Sequence, residues 1–533
     1  MYPIITTSDT VSVTETYMVM DDGVRLYTRI MVPAGAEKCP IVFIRTPYEK
    51  AHDGVPHSIE ACAGNIYVQN GYAVVLQHCR GTGDSEGFCI PYQNEREDGL
   101  RTLEFIRQMP FYDQEIYLYG RSYLTTVHLS YLDTEPEDIK GAAFDIQTDR
   151  MYFRNYRNGC CAKFCNIDWW LSMMKRQFPE QKREGAEIRP YKDIMKRIVG
   201  EEVPEYTACL VHDEYDEFWI SDPRTDVIDH LKIPVLFTEG WYDFYIGGMF
   251  SMWERLPEAT KEKSAFVVGP WPHKTKVTDY AEYPLPGGNI TPDYAVQWFN
   301  SIRNHTAYPH AEYGKVNFYS IGGDCWTTDE YPYGQRETMN LYFGGDKTLS
   351  ECASLRSELS YRYDPEKRLN YFRYRGINND IFRAKEKGSC DGVISFESDE
   401  FRRDMEFYGR IRWQMKVKTD CEDTAFYLRV YFVEEGAAYN LTETITSLSH
   451  INKDYRAGEE VLIDLELPPI GFTIRKGNRI RVDIASDGEI YVPHSNTKGH
   501  WAEVTETKVA TNTVICDEEA YIELPVKPNL GDE

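Results

Sequence analysis

Residues 116–123 read Ile-Tyr-Leu-Tyr-Gly-Arg-Ser-Tyr, a short apolar run that ends in glycine, arginine and serine. A helix-like stretch follows from Leu124 to Leu132. A serine on a sharp turn from strand to helix exposes its hydroxyl above the sheet, and a glycine two residues earlier avoids a collision with that turn. Gly-x-Ser alone recurs by chance in long chains, but this context predicts a nucleophile elbow with Ser122 at its tip.

Two strand-like runs further along the chain each lead to a group that such a serine needs. The run over residues 233–239 is followed by a carboxylate at Asp243, and the run over residues 265–268 is followed by an imidazole at His273. Histidine can take the serine proton, and the carboxylate can orient and stabilise the resulting imidazolium. The chain order Ser, Asp, His is that of α/β hydrolases and differs from the orders in chymotrypsin and subtilisin.

Other residues compete for these roles. His78 and His128 are rival bases, but His128 lies six residues after Ser122 on the same predicted helix and points away from the serine hydroxyl. Asp216 is a rival carboxylate, and it falls within a predicted insertion above the sheet. We therefore expect Ser122, Asp243 and His273 to form the catalytic group.

Six blocks of sequence, in chain order, carry a wider pattern: Asp22-Gly23-Val24-Arg25-Leu26, Pro47-Tyr48, Arg80-Gly81 with Ser85-Glu86-Gly87, Gly120-Arg121-Ser122-Tyr123, Gly240-Trp241-Tyr242-Asp243, and Gly269-Pro270-Trp271-Pro272-His273. Together they resemble the cocaine-esterase-like hydrolases of the X-prolyl dipeptidyl-peptidase superfamily, which also contains α-amino-acid ester hydrolases. The resemblance extends over nearly the whole chain. It implies a serine hydrolase that needs no metal or organic cofactor and that tends to form homo-oligomers.

The tetrahedral intermediate of acyl transfer needs hydrogen-bond donors for its oxyanion. The backbone N–H of Tyr123, directly after the nucleophile, is one expected donor, and the family resemblance implies the hydroxyl of Tyr48 as the second. Two positions depart from the family pattern. Thr125 stands where a glycine is usual, which predicts crowding of the elbow, and neither His78 nor Cys79 supplies the usual acid before Arg80.

The patterning predicts an α/β protein with three parts. Strand and helix patterns alternate over residues 1–145 and 230–333, which indicates an α/β-hydrolase domain, and residues 146–229 read as a helical cap insertion. Residues 334–533 read as a jelly-roll β-sandwich domain, because apolar and polar residues alternate in long strands. The alternating apolar sets are Ile411, Trp413, Met415 and Val417, and Ile480, Val482 and Ile484.

Composition narrows the class of partner. The net charge of −26 disfavours nucleic acid and anionic membranes, because an acidic surface repels phosphate. The amino terminus lacks a signal-peptide pattern, and the thirteen cysteines show no disulfide framework, so we expect a cytoplasmic protein. The Cys160-Cys161-Cys165 cluster lacks the spacing of a zinc site, and Gly81-Thr82-Gly83 lacks that of a dinucleotide site.

We expect hydrolysis of carboxylic esters, or less favourably amides, with a bulky or aromatic acyl group. The pocket walls predicted for it are Trp169, Trp170, Phe244 and Tyr245, which lie in the cap or beside Asp243. One alternative is an X-prolyl dipeptidyl aminopeptidase or α-amino-acid ester hydrolase, in which Asp145 and Asp149 would hold the substrate ammonium. An acyltransferase and a catalytically inactive binding protein are further alternatives that the fold class cannot separate.

Overall fold

The computed structural model of the protein describes residues 4–7, 9–48, 66–175, 177, 178, 180, 181, 188–333, 337–372 and 379–527. Two large β-sheets dominate this part of the chain, one before and one after residue 333. A segment of short helices, residues 146–229, stands between two strands of the first sheet and is called the cap here. No helix of the described residues has the length and apolar character needed to cross a membrane.

The first sheet has eleven strands. The described chain up to Asp329 also contains a separate two-stranded hairpin, so its strands are β1 (Ile4–Thr7), β2 (Val11–Val19), β3 (Arg25–Pro33), β4 (Cys39–Thr46), β5 (Ala73–His78), β6 (Tyr112–Arg121), β7 (Ile139–Asp145), β8 (Tyr156–Arg157), β9 (Cys160–Cys161), β10 (Val235–Gly240), β11 (Ala265–Gly269), β12 (Val316–Ser320) and β13 (Cys325–Asp329). The sheet order is β1-β2-β3-β5-β4-β6-β7-β10-β11-β12-β13. The seven neighbouring strands β5, β4, β6, β7, β10, β11 and β12 run parallel, and antiparallel strands form both edges; β8 and β9 are not part of this sheet.

The parallel arrangement explains why the strand-like runs of the first sheet are continuously apolar, without an alternation of apolar and polar residues. Strands β4, β5, β10 and β11 are buried along their whole length, because the inner strands of a parallel sheet are covered on both faces.

The α-helices of the described residues that are labelled here are α1 (Glu95–Arg107), α2 (Tyr123–Leu129), α3 (Met151–Asn155), α4 (Trp169–Met173), α5 (Ile194–Val199), α6 (Pro204–Val211), α7 (Glu217–Ile220), α8 (Ile246–Arg255), α9 (Glu258–Lys261), α10 (Tyr294–Asn304) and α11 (Leu448–Ile451).

The helix after the elbow and the cap both differ from expectation. Helix α2 ends at Leu129, three residues before the predicted end, and a 3₁₀ turn follows at Leu132–Thr134. The cap is not wholly helical, because β8 and β9 pair as an antiparallel hairpin within it. The chain nevertheless leaves the sheet at the end of β7 and re-enters it at β10, as an insertion above the sheet requires.

The second sheet belongs to a β-sandwich whose paired strands are antiparallel, except that β15 and β17 are parallel. Its part of the chain contains β14 (Thr338–Phe343), β15 (Thr348–Ser350), β16 (Ser357–Tyr363), β17 (Ile394–Ser398), β18 (Met405–Gly409), β19 (Arg412–Thr419), β20 (Ala425–Glu434), β21 (Ala437–Ser447), β22 (Val461–Glu466), β23 (Ile470–Ile474), β24 (Arg479–Ala485), β25 (Ala510–Cys516) and β26 (Tyr521–Pro525). The order is β16-β25-β19-β26-β14-β15-β17-β24-β20-β21, with β22 beside β19 and a separate β18-β23 pair. Strand β19 alternates between buried and half-buried residues as predicted.

Strand β24 does not alternate in burial, although its sequence does. Arg481 and Asp483 are buried with the apolar residues between them, and they form an ion pair at 2.7 Å. The Arg481 guanidinium also donates to the carbonyl of Lys385 at 2.8 Å. Polar side chains can occupy this face because each buried charge has a partner.

The sandwich packs directly on the first sheet. The rings of Phe318 on β12 and Tyr408 on β18 stack with their centroids 4.0 Å apart. Trp241, two residues before Asp243, packs on Phe318 and donates its indole N–H to the carbonyl of Tyr319 at 2.7 Å. The loop that carries Asp243 therefore rests on the interface between the two sheets.

Asp145, at the end of β7, is a buried carboxyl beside the elbow. The hydroxyls of Tyr294 and Tyr119 donate to it. Burial raises the pKa of Asp145 to about 6, and the opposing effect of Arg121 is smaller. The folded protein thus holds this proton to a higher pH than the unfolded chain, so the stability gained from it is lost as pH rises through about 6.

We expect Asp145→Asn to change how stability depends on pH. Relative to wild type, the variant should gain about 2 kcal/mol in free energy of unfolding between pH 4 and pH 7, because only wild type must ionise a buried acid. Urea unfolding of both proteins at pH 4, 5, 6 and 7 measures this difference. A difference that stays constant across the range would contradict a buried, protonated Asp145.

Candidate functional site

Ser122 lies between the last residue of β6 and the first residue of α2, in a backbone conformation that side-chain-bearing residues rarely adopt. Its φ is 55° and its ψ is −125°. The conformation is held by backbone hydrogen bonds on both sides, because Ser122 N–H donates to the carbonyl of Asp145 at 2.9 Å and Thr125 N–H donates to the carbonyl of Ser122 at 2.9 Å. Strained residues of this kind cluster at active sites.

Gly120 makes the tight turn sterically possible. A Cβ at this position would lie 2.6 Å from both N and Cα of Thr125, which are backbone atoms that cannot rotate away. Thr125 itself is buried and its hydroxyl donates to the carbonyl of Asp145 at 3.3 Å. The β-branched residue is therefore accommodated through the glycine opposite its backbone and a hydrogen bond to the neighbouring strand.

The three residues expected to act together are in hydrogen-bond contact. The Ser122 hydroxyl lies 2.9 Å from His273 Nε2, and His273 Nδ1 lies 2.6 Å from Asp243 Oδ2. The other carboxylate oxygen of Asp243 accepts the backbone N–H of Tyr245 at 2.8 Å. The Asp243 side chain is fully buried and that of His273 is 12% exposed, so only the histidine and serine end of the group can meet a substrate.

The loops that carry Asp243 and His273 are joined through their backbones. Tyr242 N–H donates to the carbonyl of Trp271 at 3.0 Å, and Trp241 N–H donates to the carbonyl of Gly269 at 2.9 Å. Gly240 allows this approach, because a Cβ there would lie 2.2 Å from the Trp271 carbonyl oxygen. The distance between the carboxylate and the imidazole thus depends on a close backbone contact.

A second carboxyl, Glu239, is buried just before the Asp243 loop. Its Oε1 accepts the backbone N–H of Gly240 at 2.8 Å. Burial, with the negative charge of Asp243 as a further cause, raises the pKa of Glu239 well above its usual value. Glu239 thus faces the backbone of Gly240, and Asp243 is the carboxyl that contacts His273.

Tyr48 and Tyr123, the two predicted oxyanion donors, line the same cavity as Ser122. The phenol of Tyr48 is in contact with the side chains of Ser122 and Trp169; burial raises its pKa, and these hydrogen bonds oppose the rise. A tyrosine that stays protonated can donate. Tyr123 begins α2, so its backbone N–H has no partner within the helix.

A cavity of about 150 Å³ opens at Ser122 and His273. The described residues that line it are Tyr48, Tyr92, Ser122, Tyr123, Gln147, Arg154, Phe164, Trp169, Tyr245 and His273. Of the predicted walls, Trp169 and Tyr245 are therefore present. Trp170 is not, because it is buried within the cap against Tyr206, and Phe244 instead lines a neighbouring cavity that reaches the sandwich.

Four lining residues were not expected from the sequence: Tyr92, Gln147, Arg154 and Phe164. Tyr92 stacks on Trp169, with the ring centroids 5.6 Å apart. Tyr92 lies in a loop before α1 and Arg154 lies in a helix of only five residues, so neither shows a periodic pattern. The one signal available was an arginine among aromatic residues in 151–156.

The rival residues are engaged elsewhere. His128 contacts the Tyr131 hydroxyl and the Tyr119 carbonyl, and burial lowers its pKa to about 3. His78 Nδ1 accepts the backbone N–H of Asp84 at 3.1 Å. Asp216 caps α7 through the backbone N–H of Phe218. None of these side chains is among those that line the cavity at Ser122.

The acids considered for binding an ammonium are also committed. Asp149 is buried and its carboxylate pairs with Arg255 at 2.6 Å. Asp145 accepts hydrogen bonds from two tyrosines below the elbow. Across the ranges that the structure describes, no group of three or more His, Cys, Asp and Glu residues is arranged to hold a metal ion, and Cys160, Cys161 and Cys165 are buried free thiols.

Comparison with known proteins finds similarity over nearly the whole chain. Residues 22–275 match the family model for X-Pro dipeptidyl-peptidase (S15 family), and residues 306–523 match that for the X-Pro dipeptidyl-peptidase C-terminal non-catalytic domain. Cocaine esterase from Rhodococcus sp. (strain MB1 Bresler) is 23% identical, over 90% of this chain and 92% of its own.

Two solved structures share the fold. An α-amino acid ester hydrolase is 19% identical, with 98% of each chain covered and a TM-score of 0.81. An aminopeptidase from the marine sediment archaeon Thaumarchaeota archaeon is 18% identical, again with 98% of each chain covered and a TM-score of 0.81. At these identities the similarity shows a shared fold over nearly the whole chain.

We expect Gly240→Ala to lower kcat by about 10²-fold for any substrate the site turns over, because the added Cβ would push the Trp271 carbonyl and move His273 away from Asp243. Gly247→Ala is the matched control. A Cβ at Gly247 has its nearest neighbour at 3.6 Å, and alanine suits a helix interior. Steady-state kinetics of both variants measure the effect, and equal activity would show that the backbone contact does not set the site geometry.

Proposed function

This chain belongs to the cocaine-esterase-like hydrolases of the X-Pro dipeptidyl-peptidase superfamily, and from that premise we propose that it hydrolyses carboxylic esters through an acyl-serine formed at Ser122. The observation that carries the proposal is the chain of contacts from the Ser122 hydroxyl through His273 to the buried Asp243. A serine needs such a base to become nucleophilic at neutral pH.

In the first half of the reaction, the Ser122 oxygen attacks the ester carbonyl while His273 Nε2 accepts the hydroxyl proton. Asp243 stabilises the imidazolium through Nδ1. The tetrahedral oxyanion accepts hydrogen bonds from the Tyr48 hydroxyl and the Tyr123 N–H. When the intermediate collapses, the ester C–O bond breaks and His273 gives its proton to the leaving alcohol.

In the second half, water replaces the alcohol. His273 accepts a proton from the water as its oxygen attacks the acyl carbonyl, and the same two donors hold the new oxyanion. Collapse of this intermediate breaks the bond to Ser122, whose oxygen takes the proton back from His273. The products are a carboxylic acid and the free enzyme, without any change of oxidation state.

The cavity supports a compact or aromatic acyl group. Its volume of about 150 Å³ is similar to that of a protein cavity known to hold benzene. Trp169, Tyr92 and Tyr245 provide flat aromatic walls beside Ser122. Such walls favour a planar group of the size of one ring.

The ester reading is preferred over aminopeptidase or amino-acid ester hydrolase activity. Both alternatives must hold a substrate ammonium, for which buried carboxylates are suited. Among the described residues that line the cavity there is no Asp or Glu, and Asp149 is neutralised by Arg255. A cationic side chain, Arg154, lines the cavity instead.

We expect Ser122→Ala to lose at least about 10⁴-fold in kcat, because removal of the nucleophile leaves only binding and oxyanion stabilisation. The test is hydrolysis of acetyl, butyryl and benzoyl esters, with aminoacyl and aminoacyl-prolyl anilides in the same panel. Ester cleavage that persists in the variant would exclude Ser122 as nucleophile. Cleavage by wild type only of compounds with a free α-amino group would replace the ester proposal with the peptidase alternative.

We expect Tyr48→Phe to lower kcat by about 10² to 10³-fold with little change in KM, because an oxyanion donor acts mainly in the transition state. Tyr206→Phe is the matched control, since this buried phenol packs on Trp170 within the cap and its hydroxyl has no hydrogen-bond partner among the described residues. Steady-state kinetics on one ester compare the two. A Tyr48→Phe enzyme as active as the control would remove Tyr48 from the oxyanion site.

A further inference from the structure

Arg154 is a buried cation in the wall of the cavity that contains Ser122 and His273. It belongs to the short helix α3 of the cap and is only 2% exposed. None of the proposed catalytic steps uses it. A guanidinium stays protonated at any physiological pH, so this residue brings a permanent positive charge to the substrate site.

The charge of Arg154 is not neutralised by a carboxylate. Its Nη1 donates to Asn155 Oδ1 at 2.9 Å, and the guanidinium carbon lies 4.4 Å from the ring centroid of Trp169 and 5.4 Å from that of Tyr92. No Asp or Glu in the described ranges forms an ion pair with it. An amide and two aromatic faces stabilise a cation by less than a carboxylate does at this depth.

The other buried arginines of the described residues differ in this respect. Each one forms an ion pair with a carboxylate: Arg45 with Glu95, Arg224 with Asp222, Arg429 with Glu443, and Arg481 with Asp483. An unpaired buried charge is costly, whereas a paired one is tolerated. Arg154 is therefore the exception, and it is also the one of the five that faces the cavity at the nucleophile.

A second polar group lies in the same wall. Gln147 is buried and lines the cavity, and its Oε1 already accepts the backbone N–H of Thr148 at 3.0 Å. Its amide NH₂ is then the group suited to a ligand, and it is a donor. The polar side chains that stand beside the proposed catalytic residues thus offer donors and positive charge.

We propose that Arg154 binds a carboxylate on the ester substrate, so that the preferred substrates are esters whose acyl or alcohol part carries a separate, ionised carboxyl group. The inference rests on the proposed ester hydrolysis and names its substrate class. Guanidinium groups bind carboxylates through two parallel hydrogen bonds, which also fixes orientation. One ring-sized cavity with one uncompensated cation suits a monoanion better than a phosphate of charge −2.

The net charge of the protein gives a local cation a clear role in binding this kind of substrate. With a net charge of −26, the long-range field repels anions from the surface. A carboxylate-bearing ester gains binding energy where it lies close to a buried cation, because little water or salt screens their attraction there. Arg154 meets that condition inside the cavity.

Two matched pairs of esters test the proposal. Methyl 4-carboxybenzoate and methyl 4-carbamoylbenzoate differ in charge on the acyl side, and 4-carboxyphenyl acetate and 4-carbamoylphenyl acetate differ in charge on the alcohol side. Wild type should cleave the carboxylate of at least one pair with a kcat/KM at least about tenfold above its carboxamide. The pair in which the carboxylate is preferred shows whether Arg154 binds the acyl part or the alcohol part of the ester.

The variant Arg154→Gln should abolish this preference, with a loss of about 10 to 100-fold in kcat/KM for the preferred carboxylate ester and a much smaller change for the carboxamide. Arg154→Lys should keep part of it, because the charge remains without the two-pronged geometry. Arg157→Gln is the control for charge alone, since Arg157 lines the neighbouring cavity beside Phe244. The Arg157→Gln variant should prefer the carboxylate ester over the carboxamide by the same factor in kcat/KM as wild type.

A binding measurement separates this inference from the proposed reaction and remains valid if Arg154→Gln alters the chemistry. In the Ser122→Ala protein, benzoate should bind more tightly than benzamide. Adding Arg154→Gln should abolish that difference in affinity, and adding Arg154→Lys should reduce it. Equal treatment of carboxylate and carboxamide by wild type, or an unchanged preference in Arg154→Gln, overturns the role of Arg154. Absence of Ser122-dependent cleavage of all four esters overturns the proposed reaction, while the benzoate comparison still decides the anion site.

Discussion

The positive φ of Ser122 is the constraint on which the site depends. Nothing in serine favours this conformation; it persists because the surroundings enforce it, through the Asp145 carbonyl, the first turn of α2 and the missing side chain at Gly120. Strand β7 supplies the carbonyl, helix α2 its first turn, and the end of strand β6 the glycine. The hydroxyl is thereby raised above the carboxyl ends of the strands, where the loops after β10 and β11 bring Asp243 and His273 to it.

The order of the groups and their strands could be predicted from the sequence, because a buried parallel strand leaves a continuous apolar run and its end marks the sheet edge. The cavity wall could be predicted only in part. Trp169 and Trp170 are adjacent and chemically alike, but on a helix adjacent residues point in different directions, and the short cap helices carry too few turns to reveal which one faces inward. Arg481 and Asp483 show a similar limit in the sandwich: their ion pair allows both to be buried on a strand whose sequence alternates between polar and apolar residues.

Charge around the site follows one logic. Acids that surround the proposed base are either neutral, as Glu239 is, or paired with a cation, as Asp149 is with Arg255. Asp243 is thus the carboxylate left to act on His273, and its buried position strengthens that interaction. On the opposite side of the serine, Arg154 keeps its charge for the cavity. With Asp243 in contact with the base and Arg154 in the cavity wall, activation of the nucleophile and selection of the substrate are separate tasks.

The contact of Trp241 with Phe318 and of Phe318 with Tyr408 links the loop of Asp243 to the carboxy-terminal sandwich. This contact limits how the carboxy-terminal sandwich can be exchanged, in evolution or by engineering. Because the loop of Asp243 packs on the sandwich, the α/β unit is not independent of it. Replacing the sandwich with that of a relative would also replace the aromatic surface on which this loop packs. The two units are therefore expected to be inherited together, and recombination points are better placed in surface loops than at the junction near residue 333.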